Sequence, residues 1–398
     1  MKIVFFTFYY SPDLCAGSFR AAALVKALAK KLDDNDQLHV ITTHPNRYAT
    51  HRVEADDIEI DGNVTIHRIA VPSHQSGIIS QSRTFAVFAF SAFRLCRKLK
   101  PDFLIGTTSR LMTGVLTGLS ARLMKRNYYI DLRDIFSETI SDLLSRKNKF
   151  LGTLAKSIFA FIERRVFNGA AGVNVVSKGF PEYFQTKGIN TANWSFFPNG
   201  VDQEFMNFPP AKENASQAVK TILYAGNIGS GQGLETIIPT TAKRLGDSYR
   251  FIIVGDGGTN TLLRAAIKRE GVINVELYPP VGREKLIEYY KNADILFLHL
   301  NDIPAFRRVL PSKIFEYAAL GRPIVAGLDG YSAQFLNEHI SYACLFAPGD
   351  SAGAESCILA ASNSKASEAV VRKFVDMYSR ASIMDRMADN LMTVVARD

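Results

Sequence analysis

The chain is 398 residues long, 47% hydrophobic and 21% charged, which excludes a disordered protein and exceeds what one ordinary core fills, so two domains of roughly 200 residues each are expected. Its net charge of +9 is unevenly placed: residues 1–200 carry 26 Lys and Arg against 16 Asp and Glu, residues 201–398 carry 21 against 22, and residues 78–178 alone carry 17 against 6. A one-sided basic stretch implies an anionic partner, either a membrane surface, a nucleic acid or a phosphorylated substrate.

Taken in chain order, the opening MKIVFFTFYY lacks the long apolar core and cleavage site of a signal peptide and reads as a first buried strand. A loop, SPDLCAGS, follows, and then a helix from about Phe19 to Leu32. LHVITT, VTIHRIAV, FLIGTT, NYYIDLR and GVNVVS read as further strands. The stretch FFPNGVDQEFMNFPPAKENASQAVKT holds three prolines and no periodicity, the composition of a linker. Beyond it TILYAG, RFIIVGDG, NVELYP, ADILFLHL, RPIVAG and ACLFA read as strands, with helices over Glu235–Leu245, Asn260–Glu270, Arg283–Lys291 and Ser312–Leu320. Alternating strands and helices predict parallel α/β layers, and the linker makes them two doubly wound domains whose ligands sit at the carboxyl ends of the strands. Four scattered cysteines (Cys15, Cys96, Cys344 and Cys357) form no CxxC pair, which argues against a zinc site or disulfide framework and fits a reducing compartment.

In the second half, FPNGVD (197–202), LYAGNIGSGQGLETII (223–238), FIIVGDGG (251–258), NAD (292–294) and PSKIFEYAALGRPIV (311–325) follow one another in an order and spacing that resembles retaining GT-B glycosyltransferases of family 4. The likeness is nearest to bacterial enzymes of lipid-linked polysaccharide assembly such as N-acetyl-L-fucosamine transferases. It implies two Rossmann-like doubly wound domains facing across a cleft. The domains expected are 1–200 for the acceptor and membrane, 201–367 for the nucleotide-sugar, and a terminal helix, 368–398, that crosses back.

The resemblance assigns Glu316 to the two ribose hydroxyls of the donor; the alternative from the residues alone is a solvated position on a helix that Ser312 can cap. Two departures stand out. The first Glu of the family's Glu-x7-Glu pattern would fall at position 308, which is Arg308, and an Arg and a Lys common beside the diphosphate are here Asn227 and Gln232. Arg307, Arg308 and Lys313 are the substitutes for that charge, since Arg holds phosphate in a bidentate fork; each also reads as part of a solvated basic loop. The Gly229–Gly233 loop and the helix start at Ser332 add amide groups toward a phosphate. GDGG (255–258) is a GxGG, not the GxGxxG of a dinucleotide fold, and reads as a tight turn that lets a ligand approach.

In the first half, Gly17 and Ser18 precede the first helix in a loop that relatives set beside donor phosphate and sugar, and Arg20 matches a basic position there. YYIDLRDIFSET (128–139) resembles a D-x-R-D segment of the subgroup, so Asp131, Arg133 and Asp134 are the catalytic candidates. Asp134 is the residue to orient or deprotonate the acceptor hydroxyl, whereas Asp131 and Arg133 also read as a structural ion pair. TFAVFAFSAFRLCRK (84–98) and KNKFLGTLAKSIFAFIERRVFN (147–168) pair apolar faces with basic residues but are too polar to span a bilayer, and read either as helices lying on anionic lipid or as core-facing helices.

The resulting expectation is a hexosyltransferase taking a UDP-sugar, an N-acetylated or deoxy hexosamine, to a polyprenyl-diphosphate-linked glycan of a cell-surface polysaccharide such as O-antigen or capsule. It would work without metal or other cofactor, in the cytoplasm against the inner face of the membrane. Nucleic acid is not expected, for lack of a stacking motif. A GT-B epimerase or phosphorylase, or a non-catalytic partner subunit, are the alternatives.

Overall fold

The computed structural model describes residues 1–46, 54–72, 78–108, 111–135, 149–206, 219–362, 364 and 366–397. Two compact units result: residues 1–199 together with 380–398, and residues 200–379.

The first unit runs β1 (Lys2–Phe6), α1 (Ala16–Ala29), β2 (Gln37–Thr43), β3 (Ile58–Asp61), β4 (Val64–Ile69), α2 (Ile78–Leu99), β5 (Phe103–Thr107), α3 (Leu111–Met124), β6 (Asn127–Leu132), α4 (Lys149–Asn168), β7 (Gly172–Val175), α5 (Phe180–Gln185) and β8 (Ser195–Phe196). Its sheet has the order β3-β4-β2-β1-β5-β6-β7-β8. Every pairing is parallel except β3 on β4. Central strands such as FLIGT of β5 are apolar without alternation and buried throughout, as expected of a parallel sheet covered on both faces. The edge strand β3, IEID, is exposed at every residue.

The second unit begins with α6 (Gln203–Met206) and continues β9 (Lys220–Ala225), α7 (Leu234–Leu245), β10 (Tyr249–Val254), α8 (Asn260–Glu270), β11 (Val275–Tyr278), α9 (Arg283–Asn292), β12 (Ile295–His299), α10 (Lys313–Ala319), β13 (Ile324–Gly327), α11 (Tyr331–His339), β14 (Ala343–Phe346), α12 (Ser351–Ala361) and α13 (Glu368–Tyr378). Its all-parallel sheet, β11-β10-β9-β12-β13-β14, is a doubly wound order whose direction reverses between β9 and β12. Loops at the carboxyl ends of those two strands therefore flank the place where such sheets take ligands.

Three expectations change. The first helix starts at Ala16, not Phe19, because Cys15 is extended (φ −150°, ψ 156°) and its carbonyl already accepts from the amide of Phe19; Gly17 and Ser18 thus lie inside the first turn. Segment 368–398 is two helices, not one. Ser379 (φ −53°, ψ 123°) leaves the helical region and bridges to Val201, so α13 belongs to the second unit and only α14 (Arg380–Val395) to the first. Cys344 on β14 and Cys357 on α12 form a disulfide with Cα atoms 5.5 Å apart, contrary to the reading of the scattered cysteines. The pair meets because α12 folds straight back along the strand that precedes it. Residues 207–218 of the expected linker lie outside the described residues.

Candidate functional site

The loop between β9 and α7, Gly226 to Gly233, is built by its own polar side chains. Gln232 Oε1 accepts from Asn227 Nδ2 at 2.9 Å and from the Gly229 amide at 3.2 Å. The Asn227 carbonyl accepts from Tyr224 Oη at 2.6 Å. The two positions where charge was expected thus hold the loop in shape. Its far wall is the segment after β12: the Asn301 amide donates to Gly231 O at 2.8 Å and Asn301 Nδ2 to Ser230 O at 3.1 Å.

The GDGG turn serves this same loop. A Cβ on Gly255 would lie 1.8 Å from the Gly226 carbonyl oxygen, and one on Gly257 would lie 2.4 Å from that of Ile228. The Ile228 amide donates to Asp256 O at 2.9 Å, and the Thr259 amide to Ile228 O at 3.0 Å. What approaches these glycines is therefore the neighbouring loop, which corrects the expectation of a ligand.

Lys313, at the first position of α10, reaches under the glycine turn. A Cβ on Gly226 would meet Lys313 Nζ at 2.0 Å, and the ammonium lies 5.2 Å above the Tyr224 ring. The same first turn carries Glu316, partly buried, whose Oε2 accepts from Tyr290 Oη at 3.2 Å. Burial pushes the Tyr290 phenol well above its ordinary value, and the charge of Glu316 pushes it further, so it remains a donor to the carboxylate. Arg283 pairs with Asp202 and lies 3.6 Å from Glu204 Oε1. Burial lowers that guanidinium, but Asp202 and Glu316 outweigh it and hold it above its usual value. Glu316 thus accepts from the Tyr290 hydroxyl, and its charge acts in turn on the Arg283 guanidinium. Ser312 precedes the helix without a side-chain cap bond, so the expected cap is not made.

Three other candidates are differently employed. Arg307 lies between Asp329 (2.9 Å) and Asp302 (3.3 Å) and is half exposed. Arg308 Nη1 is 3.5 Å from the Pro304 carbonyl. Ser332 is fully buried, and its hydroxyl donates to Asp329 O at 3.2 Å, so it braces the turn before α11.

In the first unit Arg20 and Asp131 are each 1% exposed. Arg20 Nε and Nη2 hold the two Asp131 oxygens at 2.8 and 2.9 Å in a bidentate pair. The same guanidinium donates to Pro198 O at 2.7 Å and Phe197 O at 2.9 Å. Asn174 Nδ2 gives Asp131 a further bond at 2.7 Å, and Asn174 Oδ1 accepts from the Phe197 amide at 2.7 Å. Burial alone would raise Asp131, but Arg20, Arg133 and Asn174 hold it below the ordinary carboxylate range. The ion pair suggested for Asp131 thus exists, with Arg20 in place of Arg133, and it leaves the carboxylate no face for a substrate. Arg133 and Asp134, partly buried, continue past the end of β6. Burial lowers the Arg133 guanidinium, opposed first by the Asp134 charge, and the Arg133 amide donates to Thr108 Oγ1 at 3.0 Å. Gly17 and Ser18 are buried in α1.

Tyr290, Arg283, Asp202 and His299 escaped the sequence reading. Their one visible signal was a histidine directly after the apolar run ILFL.

Residues 219–363 match the model of Glycosyl transferases group 1, and residues 20–200 that of the Glycosyl transferase 4-like domain. A protein of Escherichia coli (strain K12), assigned by name to colanic acid biosynthesis as the glycosyl transferase WcaI, is 27% identical over 353 residues, 83% of this chain and 84% of that one. Among solved structures, sucrose-phosphate synthase from Thermosynechococcus elongatus has a TM-score of 0.73 at 14% identity over 100% of both chains. Anabaena HepE, in complex with UDP and glucose, has 0.66 at 15% over 99% of both. WaaG, a glycosyltransferase involved in lipopolysaccharide biosynthesis, has 0.67 at 14% over 97% of this chain and 98% of its own. At such identities the structural likeness is one of fold, the GT-B fold of two Rossmann-like domains.

Proposed function

Because the chain belongs to the group 1 and 4-like glycosyltransferases, we propose that it moves a sugar from a UDP-sugar to a polyprenyl-diphosphate-linked glycan in cell-surface polysaccharide biosynthesis, with retention at the anomeric carbon. The name of the WcaI relative and the lipopolysaccharide role of WaaG support the pathway class; the UDP and glucose held by HepE support the donor class. An N-acetylated or deoxy hexosamine is the donor sugar we favour, on the motif resemblance to N-acetyl-L-fucosamine transferases.

The observation that carries the donor reading is Glu316, held by Tyr290 in the helix whose first residue, Lys313, reaches the Gly226 turn. In this reading Glu316 accepts both ribose hydroxyls. The Gly226–Gly233 loop and Lys313 face the diphosphate, and preorganised donors there stabilise the charge that grows on UDP as its bond to the sugar breaks. Asp134 orients the acceptor hydroxyl or takes its proton, beside the Arg133 charge. Asp131 acts at one remove by holding Arg20.

Calorimetry with UDP and GDP tests the ribose grip. Glu316→Ala should remove charge-assisted hydrogen bonds of about 1.5–3 kcal/mol, or roughly tenfold or more in UDP affinity. Unchanged affinity would remove Glu316 from the donor site.

A further inference from the structure

His299 ends β12, next to the reversal of strand order, and is fully buried. A histidine in such a place keeps both ring nitrogens satisfied or pays heavily for burial. Here the partners dictate the tautomer. Nδ1 lies 2.6 Å from the Gln232 carbonyl oxygen, which can only accept, so Nδ1 carries the proton. Nε2 lies 2.9 Å from the Gly349 amide, which can only donate, so Nε2 is bare. Only the neutral ring meets both demands.

The ring is also locked against rotation. It stacks with Phe346 (centroids 6.0 Å, 20°) and Phe297 (6.5 Å, 11°). A Cβ on Gly327 would fall 2.3 Å from its Cδ2, so the neighbouring strand must carry glycine there. The Nδ1–H is thus a fixed donor aimed at one carbonyl of the Gly226–Gly233 loop. That carbonyl belongs to Gln232, whose side chain in turn gathers Asn227 and the Gly229 amide. The next residue, Gly233, takes φ +57° and opens α7.

We propose that His299, as the neutral Nδ1–H tautomer, is a positioning residue for the donor. It fixes the Gln232 carbonyl and with it the direction of the loop amides that meet the diphosphate. This rests on the reading of that loop as the donor's seat. The residue itself touches no substrate; it takes over from below the ordering that charged side chains would otherwise impose, now that Asn227 and Gln232 occupy their positions.

Two substitutions separate the ring nitrogens in the full chain. His299→Asn keeps an amide N–H near the Nδ1 position. His299→Gln reaches toward Gly349 and leaves the Gln232 carbonyl without its donor. His299→Leu, which fills the slot without polar atoms, serves as a second loss variant should the glutamine chain not fold. We expect UDP affinity and donor KM within about threefold of the parent for Asn. For Gln or Leu we expect about tenfold weaker binding and higher KM, with kcat nearly unchanged. Equal UDP affinity in the Asn and loss variants would overturn the proposal. If the parent chain bound no UDP, the donor reading would fall by itself. Amide exchange over residues 227–233 without nucleotide would then decide the positioning role: faster exchange in the loss variant than in Asn sustains it, and equal exchange removes it.

Discussion

Arg133 and Asp134 directly follow the carboxyl end of β6, where a parallel sheet presents residues to a ligand. The charge of Asp134 is the first influence opposing the effect of burial on Arg133, so the two side chains act on one another directly. If Asp134 serves the acceptor hydroxyl, Asp134→Asn preserves shape and removes only the negative charge. Turnover should fall by about 10²–10⁴-fold, the usual worth of a positioned base, while UDP affinity stays within a factor of about two. Normal turnover in a steady-state assay would discard the assignment. Asp131, three residues earlier and on β6 itself, is expected to respond in the opposite manner. It is closed in by Arg20 and Asn174, so its replacement should be felt in stability first. The spacing D-x-R-D pointed to the segment but not to this division of labour. Which of two nearby carboxylates is exposed depends on Arg20, separated by 111 residues of chain from Asp131, and no local pattern encodes that pairing.

At the level of elements, the Arg20–Asp131 pair joins α1 to β6, reaches β7 through Asn174, and fastens the Phe197–Pro198 backbone where the first unit ends. Removing one partner of such a pair leaves the other charge buried and alone, at a cost of about 3–5 kcal/mol. Asp131→Ala should therefore lower the unfolding free energy of the first unit, read from denaturant titration, by that much at neutral pH; a loss under about 1 kcal/mol would contradict the role. The pH dependence follows from the direction of the shift. Asp131 is held below its ordinary 3.8, so its contribution is complete above that value and disappears as pH drops through the lower folded value. The gap between parent and Asp131→Ala should stay constant from neutrality to about pH 4 and close only in stronger acid. The elements themselves were largely legible: uninterrupted apolar runs such as FLIGT and TILYAG announce buried parallel strands. β3 was not, because IEID is exposed on both faces and four residues long. The start of α1 was misjudged because the AGS triplet reads as a turn while the carbonyl of Cys15 already accepts a helical bond.

At the scale of the whole molecule, the surplus of positive charge and the exposed apolar side chains fall in the same part of the first unit. α2 exposes Val87 and Phe90, followed at helical spacing by the exposed Arg94 and Arg97. α4 exposes Leu154, Ile158 and Phe161, and Arg165 lies 5.1 Å over the Phe161 ring. α3 packs against both helices and adds Leu119 and Leu123 beside Arg122. The sequence reading had singled out the first two helices and missed the third, whose glycines and threonines face inward and hide its outer stripe. Among the described residues no helix is long and apolar enough to cross a membrane, so these stripes suit a surface and not a span. The membrane docking that the proposed acceptor requires would then combine two forces with different salt dependence. Arginines are attracted to anionic headgroups over a Debye length of about 10 Å at 0.1 M salt and about 3 Å at 1 M, while burial of phenylalanine and leucine is indifferent to that screening. The chain should float with vesicles of phosphatidylcholine mixed with phosphatidylglycerol at about 0.1 M salt, should leave them largely at about 1 M, and should not float with phosphatidylcholine alone. The double variant Phe90→Ser with Phe161→Ser should weaken flotation at low salt without altering UDP affinity. Equal flotation on both lipids would remove the role of the basic residues, and no flotation on the anionic vesicles would leave the three stripes without the membrane that we assign to them.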